Sequence, residues 1–162
     1  MTHRICFIGH RNVSFRAVRK SLKDVIEYEI KNGCKNFTMG THGEFDKMAL
    51  SVCRELRQIY KDIKIEVVLT SLNLIKKQIM HKDKFSTEYT EIYNDVSTIM
   101  YDIEDKYFKR QITISNYKMI DNCDTLICYV NESKINSGAK TAMSYAKNKG
   151  IRIINLFTKV EV

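Results

Sequence analysis

Apolar residues along this chain follow two alternating patterns. Short, predominantly apolar runs predict strands at residues 5–8, 36–39, 63–69, 125–130 and 151–157. Between them, apolar residues that recur every three or four positions predict amphipathic helices over residues 15–30, 45–60 and 138–149. Strands that are apolar throughout, separated by such helices, indicate an α/β fold. We therefore expect a three-layer sandwich with a central, mainly parallel sheet of about five strands, covered by helices on both faces.

Residues 71–111 interrupt this alternation. The segment begins basic, turns acidic and carries tyrosines spaced through it. We expect it to be mostly helical and to form a flap over the functional site. Because no linker-like stretch and no internal repeat divides the chain, residues 1–162 are expected to form a single domain.

Composition narrows the class of protein. Apolar residues make up 44% and charged residues 28% of the chain, which is typical of a globular domain. No apolar run has the length of a membrane helix and no signal peptide is recognisable, so we expect a cytoplasmic protein with no membrane partner. The 27 basic and 19 acidic residues give a net charge of +8, which favours anionic partners.

The five cysteines do not point to a metal site or a disulfide framework. None of them forms a Cys-x-x-Cys pair or a zinc-like cluster with histidines. Cys6, Cys123 and Cys128 lie in apolar runs, where we expect them to act as small buried hydrophobic residues in a reducing compartment.

Three short polar turns are expected at one edge of the sheet, because each follows a strand or precedes a helix. Their candidate binding residues are Gly9, His10 and Arg11, then Gly40, Thr41, His42 and Gly43, and finally Ser137, Gly138, Ala139, Lys140 and Thr141. In open α/β sheets ligands bind at this edge, where helix N-termini present free N–H groups. Glycines, hydroxyls and two cations suit a phosphate or pyrophosphate group.

Each candidate also has a plainer interpretation. Any α/β protein needs glycines at strand ends. Asp46 either favours the first turn of a helix or accepts a hydrogen bond from a ribose hydroxyl. His10 and His42 are placed on loops, where they either contact a base or phosphate or are simply exposed, and burial is not expected for them.

Several of these stretches together resemble a known family. They are IGHR at residues 8–11, MGTHGEFDKMAL at 39–50, NYKMIDNCDTLICYV at 116–130 and SGAKTAMSYAKNKGIRIINLF at 137–157. The chain resembles the SLOG superfamily, and more narrowly its small bacterial YpsA-like proteins, related to LOG and DNA-processing protein A domains. The resemblance implies a Rossmann-like fold, a nucleotide-type ligand at the strand ends, with Phe45, Asp46 and Asn116 among its contacts, and association as homodimers or higher homo-oligomers.

The catalytic residues of LOG enzymes are poorly matched. These enzymes cleave the N-glycosidic bond of a nucleoside monophosphate and carry a glutamate three positions after the threonine of a Gly-Gly-x-Gly-Thr signature. Aligned on Thr141, that position holds Ser144, and a serine cannot replace a carboxylate as general base at neutral pH. A related arginine is replaced by Ser115, although Asn116 is kept. The resemblance therefore favours binding over hydrolysis.

Three functions remain open at this point. The leading hypothesis is a protein that senses or sequesters a phosphorylated nucleoside, such as an ADP-ribose-like or cyclic nucleotide signal, without a required cofactor; the resemblance also links it to antiviral defence or counter-defence. The alternative is a LOG-type N-glycosidase in which Asp46 or Glu44 supplies the carboxylate. The third is nucleic-acid binding, which the charge suggests although no recognition motif is present.

Overall fold

The computed structural model describes residues 3–13, 15–70, 92–104, 107–135 and 137–160. Most of the segment expected to form a flap, residues 71–91 together with 105–106, lies outside the described residues.

The described residues form a single six-stranded parallel sheet. Its strands are β1 (Arg4–Gly9), β2 (Asn36–Met39), β3 (Lys64–Leu69), β4 (Ser97–Met100), β5 (Thr125–Tyr129) and β6 (Arg152–Asn155), in the spatial order β4-β3-β2-β1-β5-β6. All five neighbouring pairs are parallel. The predicted α/β class with a parallel central sheet is confirmed.

The helices that begin at Phe15, Glu44 and Gly138 lie close to the predicted positions, whereas those that begin at Phe108 and Leu156 lie mostly outside the predicted helices. They are α1 (Phe15–Lys31), α2 (Glu44–Arg57), α3 (Phe108–Asp121), α4 (Gly138–Lys149) and a short α5 (Leu156–Val160). Gly33, with a φ of 98°, follows the end of α1, and Gly150, with a φ of 75°, caps α4. Both positions favour glycine because the left-handed region strains other residues.

The hydrophobic core divides into two layers because side chains of a strand alternate between the faces of the sheet. Ile5 and Phe7 of β1 point to the layer formed with α1 and α2, whereas Cys6 and Ile8 point to the layer formed with α3 and α4. All four are almost fully buried. This two-sided burial explains why the central strands β1 and β5 are the most continuously apolar ones.

The segment predicted to be mostly helical contains a strand instead. Ser97–Met100 pairs with β3 at the edge of the sheet, which corrects the prediction for these residues, whereas residues 108–111 are helical and belong to α3. Its strand residues are only partly buried or exposed, so the apolar pattern of the central strands is missing. Before the strand, Asp95 accepts hydrogen bonds from Arg54 and Arg57 of α2, which hold this part of the chain against the helix.

The last strand is shorter than predicted, because the chain enters α5 at Leu156. The Asn155 side chain accepts hydrogen bonds from the backbone N–H of Val130, at 3.0 Å, and of Phe157, at 3.1 Å. It also donates to the Val130 carbonyl at 2.9 Å. A side chain thus takes over the hydrogen bonds that another strand residue would make, and the strand ends.

Two of the three singled-out cysteines are buried as predicted. Cys6 and Cys128 are fully buried, whereas Cys123 is only partly so, and its Sγ lies 2.7 Å from Sγ of Cys6. Burial, followed by the contact with Cys123, raises the pKa of the Cys6 thiol well above its ordinary value. Among the described helices, none is long and apolar enough to cross a membrane.

Candidate functional site

A cleft of about 480 Å³ opens at the carboxyl edge of the sheet. From β1 the chain order runs outward through β2, β3 and β4 on one side and through β5 and β6 on the other, so the order reverses between β1 and β5. Such a switch point leaves a crevice for ligands. The cleft is lined by Ile8, Gly9, His10, Arg11, Asn12, His42, Asp46, Lys109, Ile112, Thr113, Asn116, Lys134, Ser137, Gly138 and Ala139.

The turns after β1 and β2 are joined directly. The backbone N–H of Glu44 donates to the Arg11 carbonyl at 2.9 Å. Gly43 has a φ of 133°, and a Cβ there would lie 2.9 Å from Cα of Arg11. Only glycine satisfies both the backbone conformation and the close approach at this position. Gly43 therefore serves the contact between the two turns and does not line the cleft.

Asp46 stabilises the start of α2 and also lines the cleft, whereas its contact with a ribose hydroxyl stays a prediction. Its Oδ2 accepts a hydrogen bond from the backbone N–H of His42 at 2.9 Å, which ties the preceding turn to the start of α2. The same side chain lines the cleft. Burial raises the pKa of Asp46 to about 6, against the lowering effect of the hydrogen bond from His42. The cleft thus contains a carboxyl group that titrates close to neutral pH.

His42 connects this turn to the end of β3. Its Nε2 lies 2.9 Å from Oγ1 of Thr70, a buried residue directly after the strand. The imidazole is therefore oriented by a hydrogen bond while its residue contributes to the cleft wall. The His42 side chain is therefore partly buried and held in one orientation.

His10 is buried, with 8% of its surface exposed, contrary to the expectation of a loop histidine outside the core. Its Nε2 accepts a hydrogen bond from the backbone N–H of Asn131 at 2.8 Å, and its Nδ1 lies 3.2 Å from Oγ of Ser137. Burial, followed by the positive charge of Lys134, lowers the pKa of His10. Because the lowered pKa lies below the ordinary value of 6.5, the ring is neutral near pH 7, and both of its nitrogens have partners within the protein.

The N-terminus of α4 forms the wall opposite α2. Ser137 caps the helix, because its Oγ accepts a hydrogen bond from the backbone N–H of Lys140 at 3.3 Å. Gly138 and Ala139 line the cleft, and a Cβ on Gly138 would meet no atom within 4 Å. The first turn of this 12-residue helix therefore faces the cleft with its backbone accessible, in an arrangement that attracts anions.

Three cations from three separate elements surround the same cleft. Arg11 follows β1, Lys109 belongs to the first turn of α3, and Lys134 lies between β5 and α4. All three are exposed, and none forms an ion pair within the described residues. Asp46 is the one carboxylate among the described lining residues, so positive charge predominates.

The structure brings part of the predicted set together. Of the predicted residues, those that line the cleft are Gly9, His10, Arg11, His42, Asp46, Asn116, Ser137, Gly138 and Ala139. Those outside its wall are Gly40, Thr41, Gly43, Phe45, Lys140 and Thr141. Phe45 is fully buried in the core, which corrects its prediction as a ligand contact. Glu44, the other carboxylate proposed for catalysis, is exposed, and its Oε1 lies 3.7 Å from Nζ of Lys47.

Sequence reasoning missed the contribution of α3. Lys109, Ile112 and Thr113 line the cleft beside Asn116, at the helical spacing that places them on one face. This spacing could have indicated that the four residues share one helical face. It was hard to recognise because the segment before α3 has no apolar periodicity that would mark the start of the helix. Lys134 gave no signal, since a single lysine in a loop is ordinary.

The described residues contain no group of three or more His, Cys, Asp or Glu side chains that could hold a metal ion. The chemistry available in the cleft is therefore that of backbone N–H groups, cations, hydroxyls and one titratable carboxyl.

Comparison with known proteins places the chain in a family. No curated protein matches it. The model of the YpsA family, described as the YspA SLOG family, matches residues 2–159, which is almost the whole chain. With the parallel sheet and the cleft at its switch point, this match shows that the chain belongs to the YspA SLOG family.

Proposed function

We propose that this protein binds a phosphorylated nucleoside in the cleft at the carboxyl edge of the sheet. The observation that carries the proposal is the accessible first turn of α4 facing a cleft bordered by Arg11, Lys109 and Lys134. Membership of the SLOG family supports a nucleotide-related function, and the position at the switch point between β1 and β5 supports the same site.

The charges suggest how such a ligand is oriented. Phosphate oxygens are placed at the N-terminus of α4, where helix dipole and cations reinforce each other. Asp46 is the natural acceptor for a ribose hydroxyl, since it is the carboxylate on the opposite wall and is already fixed by the amide of His42. A ligand of the ADP-ribose or cyclic nucleotide type offers both groups. Binding of such a ligand would allow the protein either to sense it or to sequester it.

Binding to a panel of nucleotides tests the proposal. Isothermal titration calorimetry with ADP-ribose, a nucleoside monophosphate and a cyclic nucleotide should show at least one ligand whose affinity falls about tenfold or more in Lys109→Glu. Lys64→Glu is the matched control, because it makes the same change of charge at the start of β3, on the opposite edge of the sheet. Absence of binding for the whole panel, or an equal loss in the control, contradicts the proposal.

One observation favours a second candidate, hydrolysis of an N-glycosidic bond. Asp46 has a pKa of about 6 and lines the cleft, as a general acid or base would. Against it, Ser144, at the position of the LOG glutamate, is exposed on α4 and does not line the cleft. Release of free base from a nucleoside monophosphate, abolished in Asp46→Asn, would establish the hydrolase; recovery of intact ligand after long incubation excludes it.

A further inference from the structure

His10 joins three segments that border the cleft. Its backbone N–H donates to the Tyr129 carbonyl at 3.2 Å, which continues the pairing of β1 with β5. Its ring accepts from the N–H of Asn131 and lies within hydrogen-bond distance of Ser137. One buried side chain thus links the end of β1 to the loop that carries Lys134 and to the cap of α4.

We propose that His10 is a positioning residue: its neutral ring holds the loop after β5 and the start of α4 in the binding arrangement, and a proton on the ring releases them. The inference rests on the proposed function for its ligand measurement. His10 itself has no nitrogen available for a phosphate in this arrangement, which distinguishes positioning from direct contact.

The hydrogen bonds define which form of the ring is needed. Because Nε2 accepts from the Asn131 N–H, it carries no proton, and the proton of the neutral ring lies on Nδ1. Nδ1–H then donates to Oγ of Ser137, which also accepts from the N–H of Lys140. A proton added to Nε2 would place two N–H donors face to face at 2.8 Å. This contact cannot persist, so the ring and the Asn131 amide must separate.

The surroundings of His10 are predominantly cationic or neutral. On the β5 side it faces Lys134 and the ring of Tyr129, whose centroid lies 6.1 Å away, and on the α4 side it faces Ser137. Arg11 follows it directly in the chain, and Asp46 of α2 is the carboxyl that shares the cleft. Burial and, to a smaller extent, the positive charge of Lys134 lower the pKa of His10, which keeps the ring neutral near pH 7.

The proposal predicts that acidification changes the ligand affinity in the direction opposite to that expected from charge alone. A protonated histidine in contact with a phosphate would strengthen anion binding on acidification. By charge alone, protonation of Asp46 would also favour an anion, although it weakens the proposed acceptor for a ribose hydroxyl. Protonation of a positioning histidine weakens ligand binding instead, because the loop with Lys134 and the first turn of α4 lose the hydrogen bonds that hold them in place.

The experiment compares pH profiles of ADP-ribose binding in the wild type and in His10→Gln. The charge of this probe does not change between about pH 8 and pH 5, and the Gln amide oxygen can accept from Asn131 at the place of Nε2 without titrating. Because Asp46 titrates in both proteins, the difference between the profiles isolates His10. We expect wild-type affinity to fall at least about tenfold relative to His10→Gln on acidification.

A ligand-free measurement separates failure of this inference from failure of the proposed function. ¹⁵N NMR of the apo protein should show the Nδ1–H tautomer of His10 at neutral pH, together with protection of the Asn131 amide from exchange relative to an unstructured amide at the same pH. Both the tautomer and this protection should be lost together on acidification. If these signals behave so but no nucleotide binds, the proposed function fails and the role of His10 as a structural link stands. An Nε2–H tautomer, or a wild-type affinity that rises relative to His10→Gln in acid, overturns the inference.

Discussion

Gly9 and Phe45 pack so closely that a Cβ on Gly9 would lie 2.4 Å from the Phe45 ring. Gly9 ends β1, and Phe45 belongs to the first turn of α2. Their contact presses the start of this helix against the strand and places the neighbouring Asp46 at the cleft. The glycine after the first strand is therefore required for helix–strand packing, whatever it contributes to ligand access.

This contact predicts that Gly9→Ala is destabilising. The added methyl group would have to displace a fully buried aromatic ring, and overpacking of this kind costs about 1–3 kcal/mol. Gly138→Ala is the control, because a Cβ there meets nothing within 4 Å. Urea unfolding should show a lower midpoint for Gly9→Ala and an unchanged or slightly higher one for Gly138→Ala, since alanine suits a helix better than glycine. Equal midpoints would contradict the close contact.

The raised pKa of Asp46 predicts that Asp46→Asn stabilises the protein above neutral pH. The folded-state pKa of about 6 lies above the ordinary value of 3.8, so ionisation opposes folding. Well below the unfolded-state pKa of 3.8 the carboxyl is neutral in both states and the variant should match the wild type. Above pH 6 it should gain on the order of 2 kcal/mol, or roughly 5 °C in Tm.

Thermal unfolding across this pH range checks the prediction. Glu44→Gln provides the control, because Glu44 is exposed on the same helical turn. A gain in Tm that is independent of pH, or one that is largest in acid, would show that the Asp46 carboxylate is not strained by burial.

Lys134 is predicted to act on His10 as well as on the ligand. Its positive charge lowers the pKa of His10 after the larger effect of burial, so Lys134→Gln should raise that pKa. The same variant should weaken ADP-ribose binding, since a cation of the cleft is lost. An NMR titration of His10, with Lys64→Gln as the remote control, measures the first effect; a pKa that stays constant or falls would place Lys134 away from the ring.

Asp95 is predicted to hold the edge strand in place. It accepts hydrogen bonds from Arg54 and Arg57, and the Asp95 carbonyl accepts a further one from Arg57 at 2.7 Å. Burial opposes ionisation of Asp95, but the two arginines outweigh it and lower its pKa. Asp95→Ala should therefore cost about 1 kcal/mol at neutral pH, and less as the pH falls through the folded-state pKa.

Hydrogen exchange localises that effect. Amides of Ser97–Met100 should exchange faster in Asp95→Ala than in the wild type, whereas those of β5 should not change. Asp62→Ala serves as a comparison, because it removes a single exposed ion pair with Lys35 at the opposite edge of the sheet. Unchanged exchange in β4 would show that the hydrogen bonds of Asp95 with Arg54 and Arg57 are not needed to hold the strand.

Much of the cleft could be predicted because its parts follow directly from strand and helix boundaries. Gly9, Asp46 and Ser137 stand where an apolar run stops or a helical repeat begins. Lys109 and Lys134 could not be found in this way, because exposed lysines carry no periodicity and their proximity depends on how α3 and the loop after β5 are placed. β4 escaped prediction since an edge strand lacks two-sided burial.

The sequence by itself determined the parallel α/β sheet, since burial on both faces requires continuously apolar strands and one-sided burial requires amphipathic helices. It also identified the turns that meet at one edge, because parallel strands all end there. Only the tertiary structure decided that Phe45 belongs to the core, that His10 is a buried link and that α3 completes the cleft. These depend on contacts between residues distant in the chain, such as the 2.8 Å hydrogen bond from Asn131 to His10, which no local pattern encodes.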